Sequence, residues 1–276
     1  MKDRLHLKQM QLANKEYVNI KHDIPTCNIL GVNIAAIDMK WLVTYLADNI
    51  KILSGNYICV SNVHTTVMSY ESQHYCDIQN NGIMAIPDGG PLSLIGRKKG
   101  FENMKRTTGP DLMGEIFNIS VERGYSHYFY GSTEETLKKL YTVLMKEYPN
   151  LNIVGMYSPP FREINQEEDL LITEGINKHN PDFIWVGLGA PKQEKWMADH
   201  QNRVKGLMIG VGAGFDYYAG NIKRAPVWIQ NLNLEWSYRL LQDPKRLFKR
   251  YFYTNIKFIR LIFLQKYMRS IDEQKR

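Results

Sequence analysis

The sequence predicts an α/β protein: a doubly wound, mainly parallel sheet followed by a helical C-terminal appendage. Three observations carry this expectation. Short apolar runs alternate with helical stretches over roughly 190 residues, as consecutive βαβ units require. Several runs, above all Phe183-Ile184-Trp185-Val186, are apolar on both faces, which suits the middle of a parallel sheet. From Ala225 onward the pattern becomes helical only, so the appendage is a separate addition.

Taken in order, residues 1–26 are polar with little periodicity and are expected to form an N-terminal extension. Residues 28–34 read as the first strand. Asp38 then caps a helix to residue 54, with Gly55 as its stop. Residues 57–60 form a second strand that enters a helix through Ser61-Asn62-Val63-His64, and 83–86 a third, ending in Pro87-Asp88-Gly89-Gly90. A helix from 110 to 123 stops at Gly124. Further strands are expected at 127–130, 152–157, 183–187 and 205–211, with helices at 134–147, at 166–178 and from Pro191. The body thus spans 27–224 and the appendage 225–276.

Composition bounds the function. Of 276 residues, 44% are hydrophobic, enough for a substantial core. Three cysteines without a C-x-x-C pair argue against a disulfide scaffold or a zinc site and fit a reducing compartment. No secretory signal and no apolar run of about 18 residues is evident, so no bilayer span is expected. The net charge of +7 is uneven: residues 239–276 carry 11 Lys/Arg against 3 Asp/Glu, and the rest is close to neutral.

The chemistry-bearing residues gather where strands end. Asp88 follows an apolar strand and is placed to act as a general base towards a hydroxyl, or simply to form an Asx-turn. Asn62 and His64 face the same crevice and could position a sugar or phosphate, while a plain helix cap also explains Asn62. The turn Arg106-Thr107-Thr108-Gly109-Pro110-Asp111 offers a cation, hydroxyls and helix-start amides to an anion. Gly187 and Gly189 permit close backbone approach before a helix N-terminus flanked by Lys192 and Gln193, a place for a phosphate or nucleotide sugar. Gly212-Ala213-Gly214 lacks the dinucleotide fingerprint and opens no evident helix. No Walker loop, nucleophile elbow or Asp-x-Asp metal pair occurs.

In the tail, bulky apolar and basic residues interleave from Lys245 to Phe263. That suits a helix in a membrane interface beside anionic lipid, a helix packed on its own body or a second subunit, or, least well, a nucleic-acid contact.

Together these pieces resemble the WecG/TagA/CpsF family of bacterial glycosyltransferases, the N-acetylmannosaminyltransferase group. The resemblance rests on Asn62, Pro87-Asp88-Gly89, Arg106 to Asp111, Val186-Gly187-Leu188-Gly189-Ala190-Pro191-Lys192-Gln193-Glu194 and Gly210 to Asp216. Lys223-Arg224-Ala225-Pro226, Leu234-Glu235-Trp236-Ser237-Tyr238-Arg239 and Asp243-Pro244-Lys245-Arg246 complete it, from about residue 28 to 253. It implies a Rossmann-like body and transfer of a sugar from a UDP-sugar donor to a polyprenyl-diphosphate-linked acceptor, with inversion. It further implies that no metal is required and that the protein acts peripherally at the cytoplasmic face of the membrane. Asp88 is then the general base, Gln193 helps to orient the donor, and Arg239, Arg246 and Lys249 reach over the site to a diphosphate, with Arg250 as substitute for Lys249. Arg224 and Glu235 fall in the same motifs as expected substrate contacts. A hydroxyl beside Asp88 is expected, with Val60 or Ser61 at the nearest position. N-acetylmannosamine is the leading donor sugar; a non-catalytic nucleotide-sugar-binding module is the alternative. A homo-oligomer that covers the apolar tail in solution is a further expectation.

Overall fold

The computed structural model describes residues 21–274, with side chains through residue 265. Most of the expected N-terminal extension lies outside the described residues. Strands β1 (Thr26–Ile29) and β2 (Val32–Ala35) precede helix α1 (Met39–Asn49) and strand β3 (Tyr57–Ser61). Helices α2 (Val63–Glu71) and α3 (Gln73–Asn81) lead to β4 (Met84–Pro87), α4 (Gly90–Lys98) and α5 (Gly109–Arg123). Strand β5 (Ser126–Gly131), helix α6 (Glu134–Glu147), β6 (Asn152–Tyr157), α7 (Gln166–His179) and β7 (Phe183–Gly187) follow. The body closes with α8 (Lys192–Asp199), β8 (Leu207–Gly210) and α9 (Gly214–Tyr218), and the appendage is α10 (Val227–Asn231), α11 (Glu235–Gln242) and α12 (Pro244–Gln274).

The eight strands form one sheet in the order β1-β2-β4-β3-β8-β7-β5-β6. Every pairing is parallel except β1 with β2. The expected doubly wound α/β fold is therefore present, with one correction at its edge. The anticipated first strand is a hairpin, turning at Leu30 (φ 51°) and Gly31 (φ 95°). Two left-handed residues in a two-residue loop match the twist of the flanking strands. Cys27, Ile29, Val32 and Ile34 are all buried, so the apolar pattern runs across the turn and conceals it.

Three further differences are local. Helix α1 ends at Asn49, five residues before its expected last residue, 54. Ser72 breaks what reads as one helix into two: its N–H donates to Met68 O (3.0 Å), and its hydroxyl accepts from Tyr75 N (3.3 Å). One residue thus ends α2 and caps α3, which sequence reading missed. The Gly212–Gly214 segment does open a helix, the five-residue α9.

The sheet carries a core on each face. On one lie Leu42 and Leu46 of α1, Ile116 of α5, Leu140 of α6 and Phe215 of α9. On the other lie Val67 of α2, Leu92 of α4, Ile176 of α7, Met197 of α8 and Phe258 of α12. Trp185, the largest fully buried side chain, sits on the interior strand β7, between β8 and β5. Its neighbour Ile184 is fully buried too, and burying an aliphatic side chain of that size contributes about 1.5–3 kcal/mol. Adjacent strands β3 and β8 send their chains to opposite faces, β3 into α2 and β8 into α9. Divergence of neighbouring strands opens a crevice beyond their carboxyl ends.

The appendage returns to this crevice. Helix α12 packs on α2 and buries Leu247, Thr254, Phe258 and Leu261, the last two within the core cluster that holds Val67 of α2, while Tyr253 donates to Glu71 at 2.8 Å. Its opposite side exposes Phe248, Phe252, Ile256, Ile259 and Phe263. Packing on the body and an outward apolar face therefore coexist. No described helix is long and apolar enough to cross a membrane.

Candidate active site

A cleft of about 1470 Å³ opens at the carboxyl ends of β3, β4, β7 and β8, with α11 and α12 contributing a wall. Asp88 lies in it immediately after β4. Its N–H donates to Ser61 O at 2.7 Å, and Gly89 (φ 100°) then turns the chain into α4, a conformation open to glycine. Burial and the Glu235 carboxylate push the Asp88 carboxyl up to about 6, opposed by Arg106 and by a hydrogen bond from Asn62; Asp111 adds to the rise. Asp88 is thus a carboxylate of enhanced basicity without a salt-bridge partner among the described residues.

Asn62 meets both expectations for it. Its Oδ1 caps α2 by accepting from His64 N (3.0 Å) and Thr65 N (3.2 Å), while its side chain also bonds Asp88. His64 lines the cleft half-buried; burial and the nearby Arg250 hold it below the ordinary histidine range, and its Nδ1 has no hydrogen-bond partner. The hydroxyl expected beside Asp88 does not come from Ser61, which is buried and donates to Gln79, nor from Val60. The tyrosine hydroxyl of Tyr217 is also in this cleft, close enough for Asp88 to act on it electrostatically. Burial and the charges of Glu235 and Asp88 raise the phenol, against the nearby Arg239 guanidinium, 5.6 Å over its ring. The sequence signal is slight: a one-turn helix sends Phe215 into the core and leaves Tyr217, two residues on, towards the cleft.

The glycine turn after β7 is built differently from the expectation. Helix α8 starts at Lys192, with Pro191 as its cap after a cis Ala190–Pro191 peptide. Gln193 is buried, and its Oε1 accepts from Gly189 N (3.2 Å) and Gly212 N (3.0 Å). Its Nε2 donates to Glu194 Oε1 (2.8 Å) and Gly210 O (3.3 Å). Two acceptor sites and two donors are all used, so no capacity remains for a ligand. Gln193 staples the β7 and β8 turns together where it lines the cleft. The Gly189 and Gly212 amides are likewise occupied. Gly187 is required for space, since a Cβ there would stand 2.7 Å from the Phe215 ring. Lys192 is exposed at the cleft edge.

The basic residues divide into paired and unpaired. Arg106 donates to Glu235 at 2.6 Å and lies 3.6 Å from Asp111; Arg224 pairs with Asp111 at 2.6 Å and Glu235 at 3.4 Å. Thr108 donates to Asp111 at 2.6 Å, and Gly109 lets α5 start against Val211. Of the expected substrate contacts, Arg106, Thr108 and Glu235 line the cleft while Arg224 stands behind them, and the four hold one another through ion pairs and hydrogen bonds. Arg239 and Arg250 line the cleft, make no salt bridge among the described residues, and each has a buried Nε without a hydrogen-bond partner. Arg246 lines it too, bonded to Asp243 at 2.5 Å. Lys249 is exposed and away from the lining, so Arg250 stands where Lys249 was expected. A hundred degrees of helical rotation separates the two.

These features agree with the comparisons. The model of the glycosyl transferase WecG/TagA/CpsF family matches residues 27–272. The chain is 31% identical over 193 residues, 70% of its length and 73% of the relative's, to the N-acetylglucosaminyldiphosphoundecaprenol N-acetyl-beta-D-mannosaminyltransferase of Bacillus subtilis (strain 168). It is 28% identical over 223 residues, 80% of its length and 86% of the relative's, to the protein of that name from Staphylococcus aureus (strain MW2). With the motifs gathered around one cleft and the match running from the first strand into the last helix, the chain belongs to the WecG/TagA/CpsF family of glycosyltransferases.

Proposed function

We propose that this enzyme moves N-acetylmannosamine from a UDP-sugar to a polyprenyl-diphosphate-linked N-acetylglucosamine, with inversion, at a membrane surface. The observation that carries the reading is Asp88: a carboxylate of raised basicity in a cleft also lined by Arg239 and Arg250, each of which keeps a buried Nε without a hydrogen-bond partner. The acceptor is that named for both relatives. In the step, the acceptor hydroxyl gives its proton to Asp88 as its oxygen bonds the anomeric carbon. The bond from that carbon to the diphosphate breaks on the opposite side, and UDP departs with the electron pair.

A departing diphosphate gains charge, and fixed cations aimed at it lower the barrier. Arg239, Arg246 and Arg250 supply such cations, and an arginine fork suits a diphosphate better than a lysine does. On this account no divalent metal is required, and turnover persists in excess chelator. The outward apolar side of α12, with Lys and Arg between its aromatics, supports docking to anionic lipid on the leaflet that presents the acceptor. The test is UDP release from a panel of UDP-sugars, with and without a synthetic polyprenyl-diphosphate-N-acetylglucosamine. Release from one sugar only when acceptor is present is expected; release from none would remove the proposal.

A further inference from the structure

Glu235 sits at a junction that substrate binding does not explain. It opens α11, and its carboxylate is gripped by two arginines of the body, Arg106 at 2.6 Å and Arg224 at 3.4 Å. Its side chain is only 20% exposed and that of Arg106 18%, so the pair is shielded from water more than a surface ion pair would be. Asp111 holds Arg224 from the other side at 2.6 Å, which fixes the clamp before Glu235 arrives.

The contacts around this clamp also join appendage to body. Gln230 of α10 accepts from Arg106 (3.1 Å), and within the appendage its amide is held by donating to Ala225 O (2.7 Å). Gln242 at the end of α11 exchanges two bonds with the Lys223 backbone, at 3.1 and 2.9 Å. Asn233, between the two helices, packs so closely on Gly90 beside Asp88 that any Cβ there would collide with it.

Arg239 lies four residues after Glu235, on the same face of α11. A glutamate followed by an arginine at this spacing ordinarily pairs along the helix. Here it does not: the body arginines take the carboxylate, and Arg239 turns to Tyr217 and the cleft. The occupied clamp and the free Arg239 are two sides of one arrangement.

We propose that Glu235 is a positioning residue: by docking between Arg106 and Arg224 it seats α11 on the body and releases Arg239 from an intrahelical pair into the cleft. When α11 is undocked, Glu235 and Arg239 pair with each other and the leaving-group cation is withdrawn. This rests on the functional reading above, in which Arg239 meets the departing diphosphate.

The test is a double-mutant cycle on the full chain, with Glu235→Gln, Arg239→Ala and the double variant. Acceptor-dependent UDP release should fall about tenfold or more in each single variant, and the double variant should match Arg239→Ala within about twofold, since the two act as a unit. Losses that multiply would overturn the proposal, because Glu235 would then act independently. A second readout is the pH profile. Asp88 is faced by Glu235 from α11, Arg106 and Asp111 at the start of α5, Asn62 from α2 and Tyr217 from α9, with Arg239, Arg246 and Arg250 lining the same cleft. Removing the Glu235 charge while Arg106 remains should move the acid limb of kcat/KM to lower pH; an unmoved or raised limb would contradict the docked geometry.

Limited trypsin digestion needs no turnover. Cleavage between residues 223 and 250 should be several-fold faster in Glu235→Gln than in the parent protein, and equal rates would sink the docking role. If the parent shows no acceptor-dependent release, the functional reading fails, and the digestion alone decides whether Glu235 docks the appendage. Should Glu235→Gln not fold, Glu235→Asp, which keeps the charge but shortens its reach, goes through the same cycle and digestion.

Discussion

At the scale of single residues, Asp88 joins stability to chemistry. Its carboxyl is raised from 3.8 to about 6, chiefly by burial. A group that binds its proton more tightly when folded costs stability as pH rises through that window, and the cost is complete above about 6. Asp88→Asn should therefore raise the melting temperature at pH 7.5 while lowering kcat by about 10²–10⁴-fold. In the parent enzyme kcat/KM should climb as pH passes through about 6, where the base is freed. A variant that is both less stable and near full activity would refute both roles. Gln193 gives a contrasting case. Gln193→Glu keeps the shape but sets an acceptor against Glu194 Oε1 and Gly210 O, both of which now receive hydrogen bonds. A loss of about 1–3 kcal/mol is expected, read by urea unfolding.

At the scale of elements, α12 separates neighbours by helical phase. Arg250 lines the cleft and Lys249 faces solvent, so Arg250→Ala should reduce kcat/KM about tenfold or more while Lys249→Ala stays within about twofold. Similar losses in both would mean that the helix is rotated from this register. The same helix illustrates what the sequence made legible. Its start, its basic and aromatic content and its place over the site could all be read, but not which of two adjacent cations points inwards, since that phase is set by the burial of Phe258 and Leu261 in the core cluster shared with α2. Strand ends with glycines and an aspartate announced Asp88 and the glycine turn, because few residues tolerate those conformations. The β1–β2 turn and the α2–α3 break stayed hidden, as burial patterning ran unbroken through the first and one serine made the second. Partner choice was the least legible property. Nothing local in the sequence tells that Gln193 spends every hydrogen bond on backbone and a neighbour, or that Arg106 and Arg224 grip Glu235.

At the scale of the whole molecule, the sheet supplies a rigid floor and the appendage completes the site. Truncation after Leu232 would remove Arg239, Arg246 and Arg250 and strip α12 from α2, so turnover should be abolished and vesicle binding reduced. The exposed Phe252 and Phe263 are the sharper probe of the surface: Phe252→Glu with Phe263→Glu should weaken binding to anionic vesicles several-fold without a change in melting temperature. Unchanged binding would place the contact elsewhere. If the same apolar side is what a second copy covers in solution, sedimentation should show self-association that lipid reverses; monomer both with and without lipid would contradict that expectation. The central claim is that this cleft transfers a sugar with Asp88 as its base, and one measurement meets it most directly. UDP release from UDP-N-acetylmannosamine is followed with and without the polyprenyl-diphosphate-N-acetylglucosamine acceptor, in the parent and in Asp88→Asn. Release that needs the acceptor and collapses in the variant is the predicted result; release that ignores either the acceptor or Asp88 would contradict the account.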